Sequence, residues 1–148
     1  MNAFKSIVTT LMAGAALLAA AGVSLAEDTK ANIVTVISSS DVQTQGMALI
    51  LSLQSKAKGA DVRILLCDKA GDLALKETPK VEALKGANAT PAMLLQKAVG
   101  AGIPAEVCAL YLPNKGLKPE ALMDGIGVAK PPVMADYLVT KNTRLMTF

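Results

Sequence analysis

Histidine and tryptophan are absent from the 148 residues, and the only aromatic side chains are Phe4, Tyr111, Tyr137 and Phe148. The missing histidine excludes serine–histidine and cysteine–histidine catalysis, histidine-bearing zinc sites and histidine pH switching. Arginine occurs only as Arg63 and Arg144, and 15 basic against 12 acidic residues leave a net charge of +3. A nucleic-acid binder carries a basic stripe with stacking rings, so no nucleic-acid partner is expected. No glycine pattern matches a phosphate loop or a dinucleotide turn, and no cofactor is expected. Metal ligands would have to be cysteine, methionine or carboxylate. The seven methionines are scattered along the chain, Met47 and Met93 are expected in the core, and no metal site is expected. No two carboxylates are spaced for acid–base work. What is present is an apolar chain, 52% hydrophobic and 18% charged, whose most reactive side chains are Cys67 and Cys108.

The amino-terminal residues have the layout of an export signal. Met1 to Lys5 is a short segment with one positive charge, and Ile7 to Val23 is apolar and rich in Ala, Gly and Leu. Ser24-Leu25-Ala26 places small residues before a cut, and Glu27-Asp28 opens a polar stretch. This pattern predicts a secretory signal peptide, residues 1–26, cleaved after Ala26. The competing reading is an uncleaved anchor, since residues 6–26 are just long enough for a span of about 20 residues. Cleavage leaves one domain, residues 27–148, in the periplasm or outside the cell, where thiols can persist in oxidised form. No second apolar run is long enough to span a membrane, so no membrane association is expected after cleavage.

The remaining chain alternates strand and helix. Asn32 to Ser38 is a β-branched run suited to a buried strand. Ser39, Ser40 or Asp41 can cap the next helix, Val42 to Lys58, whose apolar stripe is Gly46, Leu49, Ile50, Leu53 and Ala57. Val62 to Cys67 is a second strand. Asp68 to Ala89 is irregular, with one helical turn expected at Leu73-Ala74-Leu75; a connection of that length is often functional. Asn88-Ala89-Thr90 fits a glycosylation triplet with Pro91 directly after it. Thr90-Pro91 opens a helix with Met93, Leu94, Leu95, Ala98 and Val99 on its apolar face. Ala105 to Leu112 is expected as the third strand, Lys118 to Met123 as a short helix and Ile126 to Val128 as a fourth strand. A helix from Pro131 to Val139 and a closing strand from Thr143 to Phe148 complete the chain. This alternation predicts an α/β fold: a three-layer α/β/α sandwich on a largely parallel sheet of about five strands.

Cys67 and Cys108 both fall at carboxyl ends of strands, the edge where open parallel sheets bind ligands. Free cysteine is also among the most buried residue types, so a structural role competes with a functional one.

Glu106 to Asn114 resembles the cysteine-bearing strand of DsrE/DsrF-like proteins. The helix ahead of Gly102-Ile103-Pro104, the segment Ala129-Lys130-Pro131-Pro132 and the closing Leu145-Met146-Thr147-Phe148 fit the same pattern. The resemblance covers Ala31 to Phe148. It implies a three-layer sandwich, homo- or hetero-oligomers, and a cysteine, here Cys108, that carries sulfur as a persulfide. Cys67 is then a candidate resolving thiol. Two functions are open: a periplasmic sulfur carrier with sulfur donor and acceptor partners, or a non-catalytic binding or assembly module whose cysteines are structural or disulfide-bonded. If the first strand lies between the second and third, the two cysteines are two strand spacings apart, roughly 9.5 Å. A disulfide needs Cα atoms closer than about 7 Å. That arrangement predicts two free thiols; alternatively, the Asp68–Ala89 segment lets Cys67 swing across to form a regulatory bond.

Overall fold

A computed structural model describes residues 30–148; the expected signal peptide and its cleavage site lie outside the described residues. Five strands form one parallel sheet: β1 (Asn32–Ile37), β2 (Asp61–Leu66), β3 (Ala105–Val107), β4 (Ile126–Val128) and β5 (Thr143–Thr147), in the order β4-β3-β2-β1-β5. Helices α1 (Val42–Ala57) and α2 (Pro91–Gly100) pack together over one face. A five-residue helix, α3 (Tyr111–Lys115), comes directly after β3. Helix α4 (Pro131–Val139) lies on the other face, with Met134 against Val34 and Ala129. The chain walks outward from β1 to β4, then α4 returns it across the opposite face so that β5 can pair with β1. The expected three-layer α/β sandwich is what forms.

Strand alternation assigns the two faces. Ile33, Thr35 and Ile37 of β1 face α1 and α2, with Ile64 and Leu66 of β2 beside them. Val34 and Val36 face α4. Thr35 is fully buried, and its hydroxyl is 2.9 Å from that of Ser52 on α1, which also bonds the Ala48 carbonyl. A buried hydroxyl without a partner would cost about 1–3 kcal/mol, so this pair fixes how α1 sits on β1.

That pair also shifts the buried stripe of α1 from the expected one. Gln45, Gly46, Ala48, Leu49 and Ser52 face inward, whereas Ala57 is exposed. Gln45 is tolerated there because its side-chain amide donates to the Ser39 carbonyl at 2.7 Å. Asp41 is the cap: its carboxylate accepts from the Thr44 amide and hydroxyl, both at 2.8 Å. Thr90 caps α2 by accepting from the Met93 amide, as expected. Met47 and Met93 are not core residues; each is 52% exposed, because the inward faces of their helices are already filled by small and branched side chains.

The third strand is shorter than expected. It stops at Val107, and the Tyr111 amide turns back to the Cys108 carbonyl at 2.9 Å to start α3. Tyr111 and Leu112 are both buried, which no single strand face permits. Pro113 is accommodated because the first helical turn needs no donor from it. The expected helix from Lys118 is a single 3-10 turn, Pro119–Ala121, and a longer 3-10 turn spans Asp68–Ala74.

Gly71, in that longer turn, lies against the Tyr111 ring. A Cβ there would overlap the ring carbons, and the ring is anchored through its hydroxyl to Asp72. At Gly46 an added Cβ would meet only the tip of the flexible Leu84 side chain. Gly71→Ala is therefore expected to destabilise the domain by about 1–3 kcal/mol, and Gly46→Ala by clearly less. Urea unfolding of both variants checks this; equal midpoints would refute it.

Candidate functional site

The carboxyl edge of the sheet brings the two cysteines together. Leu66 and Val107 are register partners in the parallel pair β2–β3, and Cys67 and Cys108 are the next residues on each chain segment. The Cys108 amide donates to the Leu66 carbonyl at 2.8 Å, carrying the ladder one step past the strands. Neighbouring parallel strands are about 4.8 Å apart. The two Cα atoms accordingly stand 5.1 Å apart and the sulfurs are bonded as a disulfide. This overturns the expectation of two free thiols. Its premise was that the first strand separates the other two; instead β1 sits on the far side of β2, next to β5. No swing of the Asp68–Ala89 segment is needed, because strand pairing alone supplies the contact.

Both cysteines are half-buried and line a pocket of about 380 Å³ with Asp68, Lys69, Leu110, Tyr111, Asn114 and Lys115. Leu110 is 72% exposed and forms an apolar rim. Lys115 Nζ is 2.8 Å from Asp72 Oδ1, which also accepts from the Tyr111 hydroxyl at 2.7 Å. Lys69 forms no ion pair among the described residues. A small anion approaching the disulfide meets two ammonium groups, Lys115 in contact with Asp72 and Lys69 acting on Asp72 at longer range, and the carboxylate of Asp68.

The Asp72 cluster is the part of the site that sequence reasoning missed. Asp72 and Tyr111 are 39 residues apart in sequence, and nothing local pairs them. The only available signal was Gly71, where a side chain is lacking so that a ring can approach. Burial opposes ionisation of Asp72, but the hydrogen bonds from Lys115 and Tyr111 outweigh it and hold the carboxyl below its ordinary value. Burial and the bond to Asp72 push the Tyr111 phenol up, so it remains a donor at any physiological pH.

A larger groove, about 810 Å³, runs between Val42, Met47 and Ile50 of α1 and residues 81–87. It shares no residue with the cysteine pocket and contains no cysteine, serine or threonine. No group of three or more metal-ligating side chains occurs among the described residues. The order of the strands reverses at β1, so the cysteine pair, across β2 and β3, lies at the carboxyl edge but away from the switch point between β1 and β5.

A carboxyl whose folded pKa is depressed contributes stability that is complete above its unfolded value, near 4, and is lost as pH falls through the folded value. Asp72→Asn should therefore lower stability at neutral pH by roughly 1 kcal/mol. The gap in melting temperature between wild type and variant should close below about pH 4. Thermal melts across pH 2–7 measure it, with a gap independent of pH as the contrary result.

Neither a family model nor a curated protein sequence matches the chain. Solved structures do. The YchN protein of E. coli superposes with a TM-score of 0.64 at 16% identity, covering 80% of this chain and 99% of that one. A protein of unknown function, MTH1491 of Methanobacterium thermoautotrophicum, gives 0.59 at 14% identity, covering 80% of this chain and all of that one. At such identities the likeness is one of architecture, and the chain has a DsrE/YchN-like fold.

Proposed function

We propose that the protein is an exported sulfur carrier that takes sulfane sulfur as a persulfide on Cys108, with Cys67 as the resolving thiol. The observation that carries this reading is the placement of two thiols in bonding register at the mouth of a cation-bearing pocket on the carboxyl edge of the sheet. In the reduced protein, the Cys108 thiolate attacks the outer sulfur of a persulfide or thiosulfate donor. The donor's thiolate, or sulfite, leaves, and Cys108 holds a terminal sulfur. An acceptor thiolate can then take that sulfur and restore the Cys108 thiolate. Alternatively, Cys67 attacks Cys108 Sγ, expels hydrosulfide and leaves the disulfide; an external dithiol reductant returns it to the reduced state. The bond itself supports export, since disulfides persist outside the reducing cytosol. No helix among the described residues is long and apolar enough to cross a membrane.

The second reading, a non-catalytic binding module, is favoured by one observation: Cys108 packs against the main hydrophobic cluster, so the bond also staples β2 to β3. Closing the 41-residue separation would stabilise the fold by about 4 kcal/mol at most.

Sulfur loading separates the two. Reduced wild type exposed to thiosulfate or polysulfide should gain sulfur on Cys108 by mass spectrometry. Cys108→Ser should lose that uptake, and Cys67→Ser should keep it while retaining the persulfide longer. Both variants should unfold cooperatively, at the cost of the cross-link. Equal loading of wild type and Cys108→Ser would leave the binding module as the better account.

Self-association belongs to the same proposal. Val133, Leu138 and Val139 of α4 and Leu145 of β5 are all exposed apolar side chains. Light scattering should give a mass above the monomer, reduced towards monomer by Leu145→Glu with Val139→Glu. A wild-type monomer at micromolar concentration would remove this part.

A further inference from the structure

The disulfide form of the site has chemistry of its own. A bonded cysteine pair offers no thiolate, so it cannot accept sulfane sulfur from a persulfide donor. It can accept a sulfur nucleophile, because the bond is itself a two-electron oxidant. The smallest such nucleophile is hydrosulfide, an anion, and the pocket over the bond carries Lys69 without an ion-pair partner and Lys115 held by Asp72. We infer that the oxidised protein captures hydrosulfide directly, converting the Cys67–Cys108 disulfide into a persulfide on Cys108 and a thiolate on Cys67. This rests on the carrier reading for its choice of Cys108 as the sulfur-bearing residue.

The step is balanced without any further reagent. The sulfur of hydrosulfide attacks Cys108 Sγ, a new S–S bond forms, and the Cys67–Cys108 bond breaks. The electron pair of that bond leaves on Cys67, which becomes a thiolate. The hydrosulfide proton stays on the terminal sulfur, and one negative charge enters and one remains. Sulfide is oxidised to the sulfane level and Cys67 is reduced. Lys69, two residues beyond Cys67 and lining the same pocket, draws the incoming anion. The exposed side of both half-buried cysteines makes the bond accessible to an attacker this small, beside the apolar rim of Leu110 and the buried Tyr111.

The test uses the full mature protein in its oxidised form, treated without oxygen with one equivalent of sulfide and then alkylated. The expected product gains the mass of one hydrogen sulfide and two alkyl groups, with a persulfide adduct on the Cys108 peptide and a plain thioether on the Cys67 peptide. Lys69→Gln should slow uptake a few-fold and flatten its salt dependence, because a fixed cation no longer concentrates the anion. An unreacted disulfide, or an adduct found only on Cys67, would overturn the inference, and a Lys69→Gln rate equal to wild type would remove the role of the lysine. A parallel arm loads the reduced protein with thiosulfate. Loading there without sulfide capture leaves the carrier standing and ends this inference; sulfide capture without thiosulfate loading ends the carrier reading and keeps the exchange.

Discussion

The pairing of β2 with β3 governs the rest of the site. Parallel register sets Leu66 against Val107, and because each segment continues by one residue before turning, Cys67 must stand opposite Cys108. The contact is a consequence of backbone hydrogen bonding and not of side-chain search, so reduction of the bond leaves the two thiols side by side. That is the requirement for resolving a persulfide, and equally for reforming the cross-link. A pair brought together by a mobile loop would lose its proximity on reduction; a pair set by a ladder keeps it.

The turns leaving β2 and β3 shape the surroundings of the pair. After Cys67 the chain turns through Asp68, at a φ of 46°, into a 3-10 turn that delivers Gly71 and Asp72 under the pocket. After Cys108 it turns into α3, which drives Tyr111 and Leu112 into the core and leaves Leu110 in solvent. The two turns are tied by one carboxylate: Asp72 holds Tyr111 from below and Lys115 from the rim. The bare backbone of Gly71 is what lets the ring come close enough for that bond. On the opposite sheet face, Arg63 plays a comparable part, bonding Glu106 at 2.5 Å and stacking on Tyr137 with its guanidinium 4.1 Å from the ring centroid. That pairing ties β2 to β3 and seats α4 over both.

Much of the architecture was legible in the sequence because its signals are local. The β-branched run from Asn32, the Thr90-Pro91 start and the Pro131-Pro132 start each report on a few neighbouring residues, and each corresponds to an element. What escaped depends on distant partners. Strand order is not written in any one segment, and an assumed place for β1 was enough to separate the cysteines on paper. Tyr111 and Leu112 looked like strand residues because apolar character alone does not distinguish a strand end from a helix start. The inward stripe of α1 was displaced because Ser52 and Gln45, polar by type, are satisfied by Thr35 and Ser39. Met47 and Met93 were assigned to the core on type, yet the core was already full.

The same geometry decides what the two redox states can do. A thiolate pair can accept sulfur at the sulfane level, and a disulfide can accept it at the sulfide level; in the proposed chemistry one exchange links them, with Cys108 as the common carrier and Cys67 as the group that leaves or attacks. In that proposal the direction depends on the supply of hydrosulfide, persulfide donor and dithiol reductant; the cysteines themselves rest on a core built from β1, β2, β3, α1 and α2. Under the proposed export, the oxidised state persists and the disulfide is the form that meets substrate first. In the proposed exchange, the two oxidising equivalents of that bond are what raises sulfide to a transferable oxidation level.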